Sequence, residues 1–315
     1  MIAHFGPRCA TEVFDSTVLT RADLRSAGLR GRELTALVRS GRLLRLRRDR
    51  YARPDVDPVV AEAVRIGGRV TCVSLLQLLG VFVLAAHGVH VQVDPHSSRL
   101  GRRDAEAHRV HWAEDGAASA LHVTSLDTAV RHAVRCQSPR ASVATLDSLL
   151  HQRLITMDEL RAIFARLPQR FGAVLALADA SSESGPETFV RLLLRSLGAS
   201  FETQVHIPGV GRVDFVVDGW LIVECDSRAF HEGWAKQQRD RARDMAAARL
   251  GYVTIRPLAA DILSDPAGTR EALREVLEAL GPRLVGAGRS QLRRKGSRSL
   301  PQPPNRPNAP RSPEL

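Results

Sequence analysis

The stretch from Gly211 to His231 constrains the chain more than any other, because it sets acidic side chains inside segments that otherwise read as buried strands. Residues 212–217 and 220–225 are rich in β-formers, and the Asp218-Gly219 pair between them is a strong hairpin signal. Along the second strand, the period of two puts Glu224 and Asp226 on one face and Leu221, Val223 and Cys225 on the other. Carboxylates at such places need a partner, since an ionised group buried alone is costly.

The turn decides whether Asp214 shares their face. A two-residue Asp218-Gly219 turn pairs Val217 with Trp220 and sends Asp214 to the opposite side. A three-residue loop over 217–219, with Gly219 left-handed in a bulge, pairs Asp214 with Ile222 and leaves Glu224 diagonal to it on the same face. The second geometry is the expected one. It converges Asp214, Glu224 and Asp226 within reach of one hard cation, and ligation by oxygen alone suits Mg²⁺ or Mn²⁺. Without a cation, the three would repel one another and their pKa values would rise.

The pattern resembles the PD-(D/E)xK nuclease core, and more closely a family of proteins similar to very-short-patch-repair (Vsr) endonucleases. The matching residues are Ser184 to Glu187, Gln204, Arg212 to Asp214, Val223 to Asp226, His231, Arg239 to Asp244, Gly251-Tyr252 and Arg256. The resemblance implies metal-dependent hydrolysis of a DNA phosphodiester, with Asp214 and Glu224 holding the metal. It also implies that Glu187, on the preceding helix, approaches that metal, although Ser184 and Glu187 equally form a capping box. Where the family carries a lysine, this chain has Asp226, and its two lysines are Lys236 and Lys295. His231 is then the better candidate for proton transfer or phosphate orientation, since its pKa suits both.

A chain of 315 residues with 44% hydrophobic content has room for two or three domains. Its net charge of +11 comes almost wholly from arginine, which favours bidentate contact with phosphate and makes DNA the expected partner. Much of that excess lies beyond Gly286, in a segment rich in Pro, Ser and Arg that is expected to be a disordered basic tail. Cys9, Cys72, Cys136 and Cys225 lie far apart without a CxxC pair, which argues against a zinc site and a disulfide framework and suits a reducing cytoplasm. His87, His90, His96, His108, His111, His122 and His132 match no ligand spacing and are expected to be solvated or hydrogen-bonded. With no apolar stretch of membrane length and no signal core, a cytoplasmic protein without membrane partners is expected.

Residues 15–55 read as a small winged helix. Thr20 and Asp23 can cap a first helix, a second runs over 32–40 to Gly41, and residues 42–51 alternate as a hairpin wing. Eleven arginines stand against three acids from Arg21 to Arg53, which points to phosphate contact through Arg32, Arg39, Arg45 and Arg47. This stretch resembles the N-terminal domain of the abortive-infection type IV antitoxin family, which implies a toxin or defence-system partner. The middle segment, 56–177, reads as an α+β domain. It has helices near 58–66, 75–79, 140–150 and 157–164, a short strand after Gly80, and strands at 89–93 and 110–112. After a Ser-rich linker, residues 178–285 read as the nuclease-like domain, a mixed sheet flanked by helices. There Arg239 and Arg243, four apart on one helix, can clamp a phosphate, and a closing helix spans 270–280.

The expected fold is thus a multidomain α/β protein with a winged helix, an α+β domain and a restriction-endonuclease-like domain. The expected function is a DNA-binding, Mg²⁺-dependent endonuclease using Asp214, Glu224, Asp226, Glu187 and His231. A non-enzymatic DNA-binding regulator or antitoxin-like protein with a degenerate nuclease core is the alternative, and an RNA-cleaving or defence-system effector a third.

Overall fold

Thr20 accepts the Asp23 N–H at 3.1 Å while the Asp23 carboxylate accepts the Thr20 N–H at 2.7 Å, so a capping box starts helix α1 (Arg21–Ser26). In the computed structural model, which describes residues 18–114, 120–226 and 234–295, with the backbone alone for 234–237 and 282–295, α1 is followed by α2 (Gly31–Arg39). Strands β1 (Val18–Leu19), β2 (Leu44–Arg47) and β3 (Arg50–Ala52) form a sheet of order β1-β3-β2. Leu24, Leu34, Leu43 and Tyr51 are the small core beneath the two helices. Asp49 adopts φ +60° at the turn between β2 and β3, and its carboxylate accepts the Arg21 N–H at 2.8 Å.

The middle unit builds a second sheet of order β4-β5-β6 from β4 (Arg69–Val70), β5 (Val89–Val93) and β6 (His108–Trp112), with β5 and β6 parallel. Around it pack α3 (Pro58–Ile66), α4 (Cys72–Leu78), α5 (Leu126–Cys136), α6 (Pro139–His151), α7 (Met157–Phe164) and α8 (Gly172–Leu177). Asp57 caps α3 through the Val59 N–H at 2.8 Å, and Gly67 ends it at φ +101°. Helix α4 begins at Cys72, three residues before the expected start, and residues 81–83 after Gly80 form no strand. Val81 is instead buried against the core as part of a connecting loop. That core also takes in Val18, Leu46 and Ala52, so the N-terminal sheet rests on the middle unit.

The third unit holds α9 (Gly185–Ser196), β7 (Phe201–Ile207), β8 (Gly211–Val217), β9 (Leu221–Val223), α10 (Trp234–Arg249), β10 (Val253–Ile255), α11 (Ala259–Ser264) and α12 (Pro266–Lys295). Its sheet has the order β10-β9-β8-β7, mixed because β10 runs parallel to β9 while the other pairs are antiparallel. One cluster, including Phe189, Leu193, Phe215, Leu221 and Leu273, joins the sheet to α9, α11 and α12, and a second, including Val216, Ile222 and Ala247, joins it to α10. The closing helix is longer than expected at both ends, and its backbone stays helical from Gly286 to Lys295, where a disordered tail was anticipated.

The central hairpin differs from expectation in register but not in parity. Val217 pairs with Leu221, Val216 with Ile222 and Phe215 with Val223, so the loop is 218–220 rather than 217–219. Asp218 and Gly219 both take positive φ (+49° and +75°), and the Trp220 N–H closes the turn onto the Val217 carbonyl at 3.1 Å. Trp220, the extra loop residue, is 5% exposed and sits in the core, which accounts for the shift. A two-residue change of register preserves the face of every side chain. Continued by one pair, it sets Asp214 opposite Glu224 on one face.

The Ser-rich joint between the second and third units is pinned. Asp147 on α6, 1% exposed, accepts the Asp179 N–H, the Thr188 hydroxyl and the Arg191 guanidinium, each at 2.7 Å, and Arg191 also donates to the Leu177 carbonyl at 2.8 Å. Gly185 has room for no side chain, because an added Cβ would stand 2.1 Å from the Phe82 ring. Among the described residues, no helix is long and apolar enough to cross a membrane.

Candidate functional site

Glu187 stands where α9 begins and reaches strand β7 through Gln204. Ser184 caps the helix through the Glu187 N–H and donates its hydroxyl to Glu187 Oε1 at 2.7 Å. Glu187 Oε2 accepts the Glu183 N–H and the Gln204 side-chain amide, both at 2.8 Å. The capping role is therefore filled, and it holds the carboxylate, 7% exposed, facing inward. Gln204 itself has φ +54°, and the ladder pairs Thr203 with Phe215 and Val205 with Val213, leaving Gln204 across from Asp214. A non-glycine residue in that conformation costs about 1–2 kcal/mol, and such strain persists only where its surroundings impose it.

Asp214 is half-buried, with Oδ2 accepting the Cys225 N–H at 2.8 Å. Burial pushes its carboxyl up to about 6; the Cys225 bond opposes the rise, and the charges of Glu187, Glu224 and Glu183 add to it. Burial, and after it the charges of Asp214, Glu187 and Glu224, push the Cys225 thiol upward as well. This corner of the sheet carries an excess of negative charge.

Glu224 has its own counter-ions. Arg243 from α10 reaches Oε1 at 2.9 Å, and Arg256, just past β10, reaches Oε2 at 2.8 Å. Arg243 also ties down the Val210 and Arg212 carbonyls at 3.0 and 2.7 Å, while Arg256 bridges to Asp244 at 2.7 Å. Asp226 keeps the register of the β9–β10 ladder, since its backbone bridges to Leu258 in parallel and its N–H donates to the Pro257 carbonyl at 3.2 Å. The expected convergence is thus looser than drawn from the strand pattern: among the described residues, the acids do not bring three carboxylate ligands within 4.8 Å of one another. The reason is Glu224, turned to the two guanidinium groups. His231 lies outside the described residues.

The arginines separate into two kinds. Arg32 and Arg39 are exposed on the outer face of α2, where with Gly31, Thr35, Ala36 and Ser40 they line a shallow depression, and Arg45 on the wing is exposed too. Arg47 is half-buried and donates to the Ile66 carbonyl at 3.2 Å and to that of Arg99, fastening the wing to the middle unit. Arg239 is exposed on α10, whereas Arg243 is built into the carboxylate corner.

One cluster escaped the sequence reading. Cys72, His90, His111 and Cys136 bring four ligand atoms within 4.8 Å of one another, although their spacings fit no motif. His90 Nδ1 lies 3.2 Å from His111 Nε2, which lies 3.8 Å from Cys136 Sγ. The neighbouring His132 stacks on His111 at 4.4 Å, and burial, followed by the charge of His111, pushes it down to about 4. The only signal available earlier was composition, namely many histidines in one segment with two cysteines.

No protein-family model matches the chain. It is similar to the uncharacterized proteins MT2308 and Rv2248 of Mycobacterium tuberculosis (strains CDC 1551 / Oshkosh and ATCC 25618 / H37Rv), each 33% identical over 150 residues covering 44% of this chain. The aligned part is 55% of either relative, so the chain spans about half the length of the curated proteins it matches.

Proposed function

We propose that the protein binds DNA through its N-terminal unit and hydrolyses phosphodiesters at the Asp214, Glu187 and Glu224 corner with a divalent cation. The observation that carries this reading is the half-buried Asp214, set across the strands from Gln204 and Glu224, with its carboxyl raised to about 6 by burial first and then by the charges of Glu187, Glu224 and Glu183. An all-oxygen donor set that is over-supplied with negative charge fits Mg²⁺ or Mn²⁺. Asp214, Glu187 and Glu224 are the residues that would hold the ion. The bound cation would stabilise charge on the phosphoryl oxygens and lower the pKa of water. The chain itself supplies orientation: Ser184 and Gln204 fix Glu187, the Cys225 N–H fixes Asp214, and Arg243 and Arg256 hold Glu224. His231 remains the proposed proton carrier or phosphate contact.

Purified protein incubated with supercoiled plasmid and Mg²⁺ or Mn²⁺ should nick it, while Glu224→Ala should bind DNA and leave it intact. Equal cleavage by Glu224→Ala would remove the corner from the chemistry. A DNA-binding regulator without cleavage is the second reading, and one observation favours it: both oxygens of Glu224 already have arginine partners. Binding without cleavage under either metal would select it.

A further inference from the structure

We propose that Cys72, His90, His111 and Cys136 form a structural zinc site that pins the edge of the middle sheet. The four come from four elements: the first residue of α4, strand β5, edge strand β6 and the last residue of α5. Their two sulfurs and two ring nitrogens all lie within 4.8 Å of one another, which is the donor set and number of a closed tetrahedral zinc site. Four protein ligands leave no open position for substrate, so the role is to hold structure. Two thiolates and two neutral imidazoles around Zn²⁺ sum to zero charge, which suits a site where Cys72 is fully buried and His90 is 7% exposed.

Three local features make the group a built one. Cys72 sits at φ +56°, a conformation disfavoured for a residue without glycine's freedom, at the first position of the helix. The His90 N–H is held by the Ser74 hydroxyl at 2.9 Å, and Thr71, one residue before Cys72, donates its N–H to the His90 carbonyl at 3.0 Å. Behind His111, the stacked His132 ring is fixed by Thr71 Oγ1 at 3.0 Å, which Thr124 contacts in turn at 2.9 Å. These contacts fix the His90 backbone and back the His111 ring with a held His132. The site would give β6 a second attachment, since β5 is its only strand partner among the described residues.

The test is metal content and geometry in the full chain, purified without chelator and with its thiols reduced. About one zinc per chain is expected, falling to less than about a tenth in Cys136→Ser and in His111→Gln. Replacing zinc with Co²⁺ in the wild type should give the intense visible bands of a tetrahedral ion and a thiolate charge-transfer band in the near ultraviolet. This readout stands even if the variants fold poorly. Reduced wild-type protein that takes up no zinc when it is supplied, or an octahedral cobalt spectrum, would overturn the proposal, as would a native disulfide between Cys72 and Cys136. The site is independent of the phosphodiesterase reading, and Glu224→Ala should retain its zinc.

Discussion

Asp214 is the residue through which pH should act on this protein. Its folded pKa of about 6 lies above the ordinary aspartate value, so the native state binds the proton more tightly than the unfolded chain. The sign follows: the penalty is absent near pH 4, grows as pH rises towards 6, and is full above it. Allowing for its partial exposure, Asp214→Asn should stabilise the protein by on the order of 1–2 kcal/mol at pH 8 and by almost nothing at pH 4. Chemical denaturation at the two pH values reads the difference, and an equal effect at both would show that Asp214 is not strained by charge. Saturating Mg²⁺ should lower the Asp214 pKa measured by NMR, because a cation favours the carboxylate. The alternation of β9 made the shared face of Asp214 and Glu224 readable, and the even register shift kept it. The arginine partners of Glu224 were not readable, because Arg243 and Arg256 arrive from elements 19 and 32 residues away.

At the scale of elements, α2 and the wing carry the arginines that a polyanion can reach. Replacing Arg32, Arg39 and Arg45 with alanine together should flatten the salt dependence of DNA binding by about 2–3 in log–log slope, read from binding isotherms across salt. Arg47→Ala should leave that slope unchanged and instead destabilise the fold by about 1–3 kcal/mol, as its bonds to the Ile66 and Arg99 carbonyls are lost. The alternation of leucine and arginine in β2 assigns Arg45 and Arg47 to the same face, yet one meets solvent and the other meets the next unit. A ladder break between Arg45 and Arg47 separates them. The start of α1 was legible because the capping pair of Thr20 and Asp23 announced it. The start of α4 was not, because Cys72 opens it from a backbone conformation that no propensity favours.

For the whole molecule, the clamp of Asp147 on Arg191 decides how separable its parts are. Both side chains are 1% exposed, and burial raises the Asp147 pKa even against the attraction of Arg191. Asp147→Ala should cost about 3–5 kcal/mol in equilibrium denaturation, because a buried guanidinium loses its counter-charge. Asp147→Leu combined with Arg191→Met should recover most of that loss, and failure to recover would locate the stabilisation elsewhere. Nothing in the local sequence announces this pair, since its members are 44 residues apart on opposite sides of a segment that reads as a loose linker. The consequence reaches any attempt to divide the chain after Leu177. Asp179, Thr188 and Arg191, the three donors to Asp147, all lie beyond the cut, and Arg191 would lose the Asp147 carboxylate in turn. Each half of this protein would therefore carry a face built to be covered by the other, and each should be stabilised when its sibling is added in trans.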